Sequence, residues 1–354
     1  GSTASINGLT PQASNMQPFN RIINGAMTIS QRGSPTMSGG GDYSVDRFGN
    51  YYSGNAYTSA QSTTAPTGFA NSLLLTTTTP SASPSYSFFY QKIEGLNCAD
   101  LGFGTATAST VTLSFWVRAS VTGVYSLAIG NNNADRAYAV QYSINAANTW
   151  EQKTMTVAGD TTGTWLKTNG VGFSVRWNMG TSSAGRLISA GSWQAVNADG
   201  ATGSTGANTW ANTSGATFYI TGVQLEAGSS GSSFAHEFVG DTLQKCQRYF
   251  TVMPNGIFGI GTGTTTISYS YHLPTHMRST PTTSLTSTNQ RQGDTVAQGI
   301  MLTSATSTSG GYSNSSVATF SISGTPSANF TNYRTYMYEG TVGYPAQVHL
   351  DAEL

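Results

Sequence analysis

The chain has 354 residues, enough for one or two domains with cores of their own, and 8% of them are charged, against about 25% in an ordinary soluble domain. Its 15 Lys and Arg are scattered and balanced by 15 Asp and Glu, which excludes the basic stripe of a nucleic-acid binder and the long-range steering of a charged partner. No stretch approaches the roughly 20 apolar residues needed to cross a bilayer, so neither nucleic acid nor membrane insertion is expected.

Gly1 and Ser2 stand where an initiator Met would and read as the remnant of a removed tag, with the natural chain extending upstream. Residues 1–18 contain Pro11 and Pro18 without an apolar period, the pattern of a linker or the end of a stalk. From 19 to about 240, short alternating apolar and polar runs separated by Gly, Ser and Asn predict the half-buried strands of a β-sandwich. Val111, Leu113, Phe115 and Val117 share one face of a strand, with Thr112, Ser114, Trp116 and Arg118 on the other. The same period sets Tyr138, Val140, Tyr142 and Ile144 against Gln141 and Ser143. It also sets Val171, Phe173, Val175 and Trp177 against Ser174, Arg176 and Asn178.

Asp241–Phe250 is the best helical candidate, with Asp241 as N-cap and Leu243, Cys246 and Tyr249 or Phe250 at helical spacing; it predicts one short linking helix. Beyond it, Ile267–Leu273, Val317–Ile322, Tyr333–Tyr338 and Gln347–Leu350 alternate again, predicting a smaller β domain over 251–354. No fixed-period repeat points to a solenoid or propeller. The predicted fold class is all-β: a sandwich, one short helix and a smaller C-terminal β domain.

The chemistry implied is that of neutral sugar recognition. A saccharide site needs aromatic faces for the C–H side of a pyranose and planar polar groups for its hydroxyls, and the chain carries 18 Tyr and 6 Trp amid abundant Ser, Thr, Asn and Gln. The outward positions of the predicted strands nominate Trp116, Arg118, Gln141, Arg176 and Asn178 as the lining of one shallow groove. The alternative for Trp116 is packing beneath a neighbouring loop or a partner chain.

No catalytic residue, metal ligand or cofactor is expected. Asp42 and Asp46 lie near Arg47, and Glu94 near Asp100, but such residues more often make turns and ion pairs than the paired carboxylates of a glycosidase. His272 and His276 are four apart with Pro274 between them, which argues against a zinc-binding helix. Gly259–Gly263 lacks the lysine and following helix of a phosphate loop and reads as a strand connection. Cys98 and Cys246 form no disulfide framework and suit thiols made in a bacterial cytoplasm.

Several segments, taken in order, resemble a family of bacteriophage tail-fibre and virion structural proteins. They are Asn20–Met27 followed by Gln31-Arg32-Gly33, then Val45-Asp46-Arg47-Phe48 and the strand Ser114–Ser120. Phe218–Gly228, Phe234, Glu237 and Cys246–Phe250 form the most specific block, and Leu273-Pro274, Met277–Pro281 and the closing Asp351–Leu354 resemble the usual companion domain. His236-Glu237-Phe238 departs from the family, whose members more often carry Glu-His-Arg there. The resemblance implies a jelly-roll first domain similar to carbohydrate-binding modules over 19–240, and a chain that ends at its natural terminus. It also implies a homotrimeric fibre joined to upstream phage tail proteins, made in the host bacterial cytoplasm, whose virion binds a host cell-surface glycan. A purely structural fibre or capsid-decoration segment and a polysaccharide-degrading fibre enzyme are the alternatives.

Overall fold

The computed structural model describes residues 20–33, 35, 37–132, 135–195, 200–201, 204–287, 290–293, 300–309, 313–331, 334–339 and 347–354. The segment 1–18 expected as a linker therefore lies outside the described residues. The chain divides after Phe238 into two compact units.

The first unit is a sandwich of two antiparallel sheets. One has seven strands in the order β1 (Gly40–Tyr43), β2 (Gly49–Ser53), β5 (Tyr86–Glu94), β10 (Val171–Asn178), β7 (Gly123–Gly130), β8 (Ala137–Ile144) and β12 (Trp193–Gln194). The other has five, in the order β3 (Ala56–Ser62), β4 (Ser72–Thr79), β14 (Thr217–Ala227), β6 (Val111–Ala119) and β9 (Glu151–Val157). A short parallel pair, β11 (Leu187–Ile188) with β13 (Gly200–Ala201), stands apart from both.

The period-two pattern does what it predicts. Phe115 and Val117 from one sheet meet Phe173, Val175 and Trp177 from the other in one core, joined by Leu73, Phe89, Tyr125, Leu127 and Phe218. Phe89 lies flat on Trp177, with ring centroids 4.9 Å apart and planes 2° off parallel. Each such buried side chain contributes about 1.5–3 kcal/mol through the apolar surface it removes from water.

One helix was not anticipated. Thr205–Ala211 (α1) is built of Thr, Gly, Ala, Asn and Trp, mostly poor helix formers. Packing overrides propensity there: Trp210 is fully buried edge-on to Tyr57, and Gly206 lies so close to the Tyr125 ring that a Cβ would come within 2.5 Å of it.

The second unit begins with α2 (Val239–Gln247), two residues before the predicted helix and ending three before it. Asp241 thus sits in its first turn rather than at its cap. The amide of Tyr249 donates to Cys246 O, and Phe250 is drawn into β15 (Phe250–Met253), which pairs with β23 (Val348–Asp351) and through it with β18 (Thr282–Leu285). The other strands close a six-stranded barrel in the order β16 (Phe258–Gly261), β17 (Thr266–His272), β21 (Val317–Pro326), β20 (Ile300–Ser309), β19 (Gln290–Gly293) and β22 (Thr335–Glu339). Ile267, Tyr269, Leu302, Phe320, Ile322, Tyr336 and Tyr338 fill it. Closure leaves no unpaired barrel edge. The glycine-rich run at 259–261 is a barrel strand, and His276 Nε2 is hydrogen-bonded to Ser315 Oγ at 2.9 Å.

Candidate functional site

The site is built on β5, a central strand of the seven-stranded sheet. Its odd positions include Phe89 and Ile93, which enter the core, so alternation turns Tyr86, Phe88, Tyr90 and Lys92 outward. The neighbouring registers set Tyr51 beside Phe88 and Gly49 beside Tyr90 on one side, and Arg176 beside Tyr90 and Ser174 beside Lys92 on the other. A groove of about 290 Å³ runs over this face, lined by Tyr51, Tyr86, Phe88, Tyr90, Lys92, Asn131, Asn132, Val171, Ser174, Arg176 and Arg186.

Its floor is aromatic. Tyr51 stacks on Tyr90 at 5.6 Å and 22°, Tyr51 and Phe88 are 5.7 Å apart, and Phe88 is 6.1 Å from Tyr86 and 6.0 Å from Tyr90. Room for Tyr90 comes from Gly49, where a Cβ would stand 2.4 Å from the ring. The Tyr90 hydroxyl donates to Tyr43 Oη at 3.3 Å. Burial raises the Tyr90 phenol to about 12, so it stays protonated at every physiological pH.

Cations are held against these rings. The Arg186 guanidinium lies 4.3 Å from the Tyr86 centroid, Arg176 lies 5.9 Å from Phe88, and Lys92 Nζ lies 5.4 Å from Tyr90. Arg176 Nε also donates to Ser174 Oγ at 3.1 Å. Behind the floor, the buried Arg47, in the left-handed region at φ 73°, donates to Lys92 O at 2.6 Å and fixes that end of β5. Asn131 at the rim is fully buried, with Nδ2 donating to Thr164 O at 3.0 Å and Oδ1 accepting from the amides of Asp135 and Arg136.

The five residues nominated from the sequence do not form one groove. Arg176 lines it. Asn178, on the same face, is fully buried instead: Nδ2 donates to Ser126 Oγ at 3.3 Å, and Oδ1 accepts from the Gly180 amide and the Thr181 hydroxyl. Gln141, two strands away on β8, is exposed but outside the groove. Trp116 and Arg118 belong to the other sheet, where Arg118 Nε donates to Asn148 O at 2.8 Å and its guanidinium lies 5.0 Å from the Tyr219 ring. The single-groove expectation is therefore corrected, because alternation separates inside from outside for one strand without saying which sheet the strand joins.

The residues that sequence reasoning missed are Tyr51, Tyr86, Phe88, Tyr90, Lys92 and Arg186. The signal for four of them was present in the run from Tyr86 to Lys92, whose alternate positions are aromatic, aromatic, aromatic and basic.

No protein-family model matches the chain, and no curated protein matches it. Solved structures give distant likenesses. The enzymatically active domain of bacteriophage CBA120 tailspike protein 4 is 14% identical with a TM-score of 0.33, over 59% of this chain and 21% of that one. TmCBM61, solved with β-1,4-galactotriose, is 8% identical with a TM-score of 0.31, over 59% and 99%. A family 11 carbohydrate-binding module from Clostridium thermocellum, solved with a mixed-linked tetrasaccharide, is 9% identical with a TM-score of 0.28, over 58% and 98%. The chain thus spans about a fifth of the tailspike it matches. Likenesses at this level decide neither family nor ligand, and the groove has to be read from its own residues.

Proposed function

We propose that the chain binds saccharide non-catalytically in the groove over β5, as the receptor-binding part of a homotrimeric bacteriophage tail fibre that holds the virion to a host surface glycan. The observation that carries the saccharide reading is the row of Tyr86, Phe88 and Tyr90 with Tyr51 beside it, facing an open groove on a rigid sheet. Tyr51 and Tyr86, half-buried beside the buried Phe88 and Tyr90, offer ring surface to the C–H side of a pyranose, while Asn132 and Arg176 offer hydrogen-bonding groups to its hydroxyls. The described lining residues include no carboxylate, whereas glycosidic hydrolysis needs a pair about 5 to 10 Å apart.

The fibre assignment rests on the ordered segment resemblance. Three copies on one fibre would convert feeble single-site contacts into attachment, since linked sites multiply affinity by roughly 10² to 10⁴. The test is a glycan array with the parent and Tyr90→Ala, alongside reducing-end release from host polysaccharide and light scattering for oligomeric state. Expected are array signals lost in the variant, no reducing ends and a trimeric mass. Array signals that survive Tyr90→Ala would remove the groove from the reading, hydrolytic turnover would make the chain an enzyme, and a monomeric mass would remove avidity.

A further inference from the structure

The chain as a whole is neutral, yet the described lining of its groove is rich in cations. Of the eleven described lining residues, Lys92, Arg176 and Arg186 are cationic and none is acidic. Glu94, next in alternation after Lys92, is buried and does not line the groove. We infer that the ligand is an acidic polysaccharide, whose repeat carries oxyanion groups (carboxylate, sulfate or phosphate ester) that meet these cations while its sugar rings lie on the tyrosines. The inference rests on the saccharide reading and narrows it.

Two features of the geometry carry it. First, the guanidinium carbons of Arg186 and Arg176 lie 4.3 Å and 5.9 Å from the ring centroids of Tyr86 and Phe88. A guanidinium is planar, with donors that match an oxyanion, and contact with a ring restricts its rotamer before the ligand arrives. Second, the cations are spread out. Arg186 stands at Tyr86, Arg176 between Phe88 and Tyr90, and Lys92 at the far end. Six residue steps of strand separate Tyr86 from Lys92, about 20 Å. That length exceeds one sugar ring and suits charge repeated along a chain more than one acidic terminal residue.

The experiment is calorimetric titration of the full chain with three matched pairs: oligogalacturonate and its methyl ester, dextran sulfate and dextran, and phosphomannan and mannan. Binding of at least one acidic member about ten- to a hundredfold tighter than its neutral partner is expected, weakening as salt rises. Arg176→Gln and Arg186→Gln are each expected to cut that preference about tenfold, whereas Lys245→Gln, in the other unit, leaves it unchanged. Which pair responds distinguishes carboxylate, sulfate and phosphate. Neutral members bound as tightly as acidic ones, in a manner still sensitive to Tyr90→Ala, would overturn the charge inference and leave the saccharide reading standing. An acidic preference that survives both arginine variants, or falls equally in Lys245→Gln, would show adsorption outside the groove and overturn it too. Binding to no member of any pair would overturn the charge inference; the glycan array then decides the saccharide reading separately.

Discussion

The outer faces of the two sheets start from the same pattern, aromatic and polar residues on alternate positions of antiparallel strands, and finish differently. On the five-stranded sheet the chain covers its own face. Gln224 and Glu226 on β14 are buried beneath the segment after it, with Gln224 Nε2 donating to Ser232 Oγ and Glu226 accepting from the Ser232 amide and hydroxyl. Phe69 packs on Phe234 and His236, and a Cβ on Gly222 would touch both Phe69 and Trp116. On the seven-stranded sheet Ser204 is hydrogen-bonded to the buried Ser126, beside the buried Asn178, whereas Tyr51 and Tyr86 stay only half-buried at the groove. An aromatic residue facing away from the core is therefore not yet a binding residue; what crosses above it decides.

This contrast can be broken by substitution. The largest effect is expected for Tyr90→Ala, with saccharide affinity falling about ten- to a hundredfold and urea stability falling by about 2–5 kcal/mol, since the ring lines the groove but is almost wholly buried. Gly49→Ala should cost about 1–3 kcal/mol in a urea melt and weaken binding together with it, because the new methyl overlaps the place of the Tyr90 ring. Trp116→Ala should differ in leaving affinity unchanged, with a loss of about 1–2 kcal/mol in the same melt, as expected of a half-buried packing residue. Binding lost in Trp116→Ala without loss of stability would erase the distinction between the faces.

The smallest effect is a pH control on the fold of the first unit. Burial pushes the Asp160 carboxyl up, but the hydrogen bonds it accepts from Arg136 at 2.6 and 2.7 Å and from Thr162 outweigh this and leave it below its usual range. A depressed carboxylate stabilises the fold above its unfolded value of about 3.9, and that contribution is lost as pH falls through the lower folded value. Asp160→Asn should flatten the acid limb of thermal stability measured from pH 5 to pH 2, while leaving the neutral-pH binding contrast between the two faces intact.

Much of the architecture was legible because strand alternation is a local property. The faces of β6, β8 and β10 follow directly from runs such as Val111–Val117, since a residue's neighbours two positions away share its side of the sheet. Charge sparsity and the Ser, Thr and Gly content likewise pointed to strands and turns. The helix at Thr205–Ala211 was not legible, because its stability comes from burying Trp210 rather than from its residues' own preferences. Barrel closure was equally hidden, since it depends on pairing between strands as far apart as β16 and β22.

For the site, the sequence by itself determined which side chains leave the core: Arg176 on β10, Trp116 on β6 and the unexploited series Tyr86, Phe88, Tyr90 and Lys92 on β5 all follow from period two. Only the tertiary structure decided that β5 and β10 are neighbours while β6 lies in the opposite sheet, and that Arg186, from a separate segment, comes to rest on Tyr86. The physical reason is that side-chain direction is set within two residues along a strand, whereas sheet membership and the covering of a face are set by hydrogen-bond pairing between segments far apart in the chain.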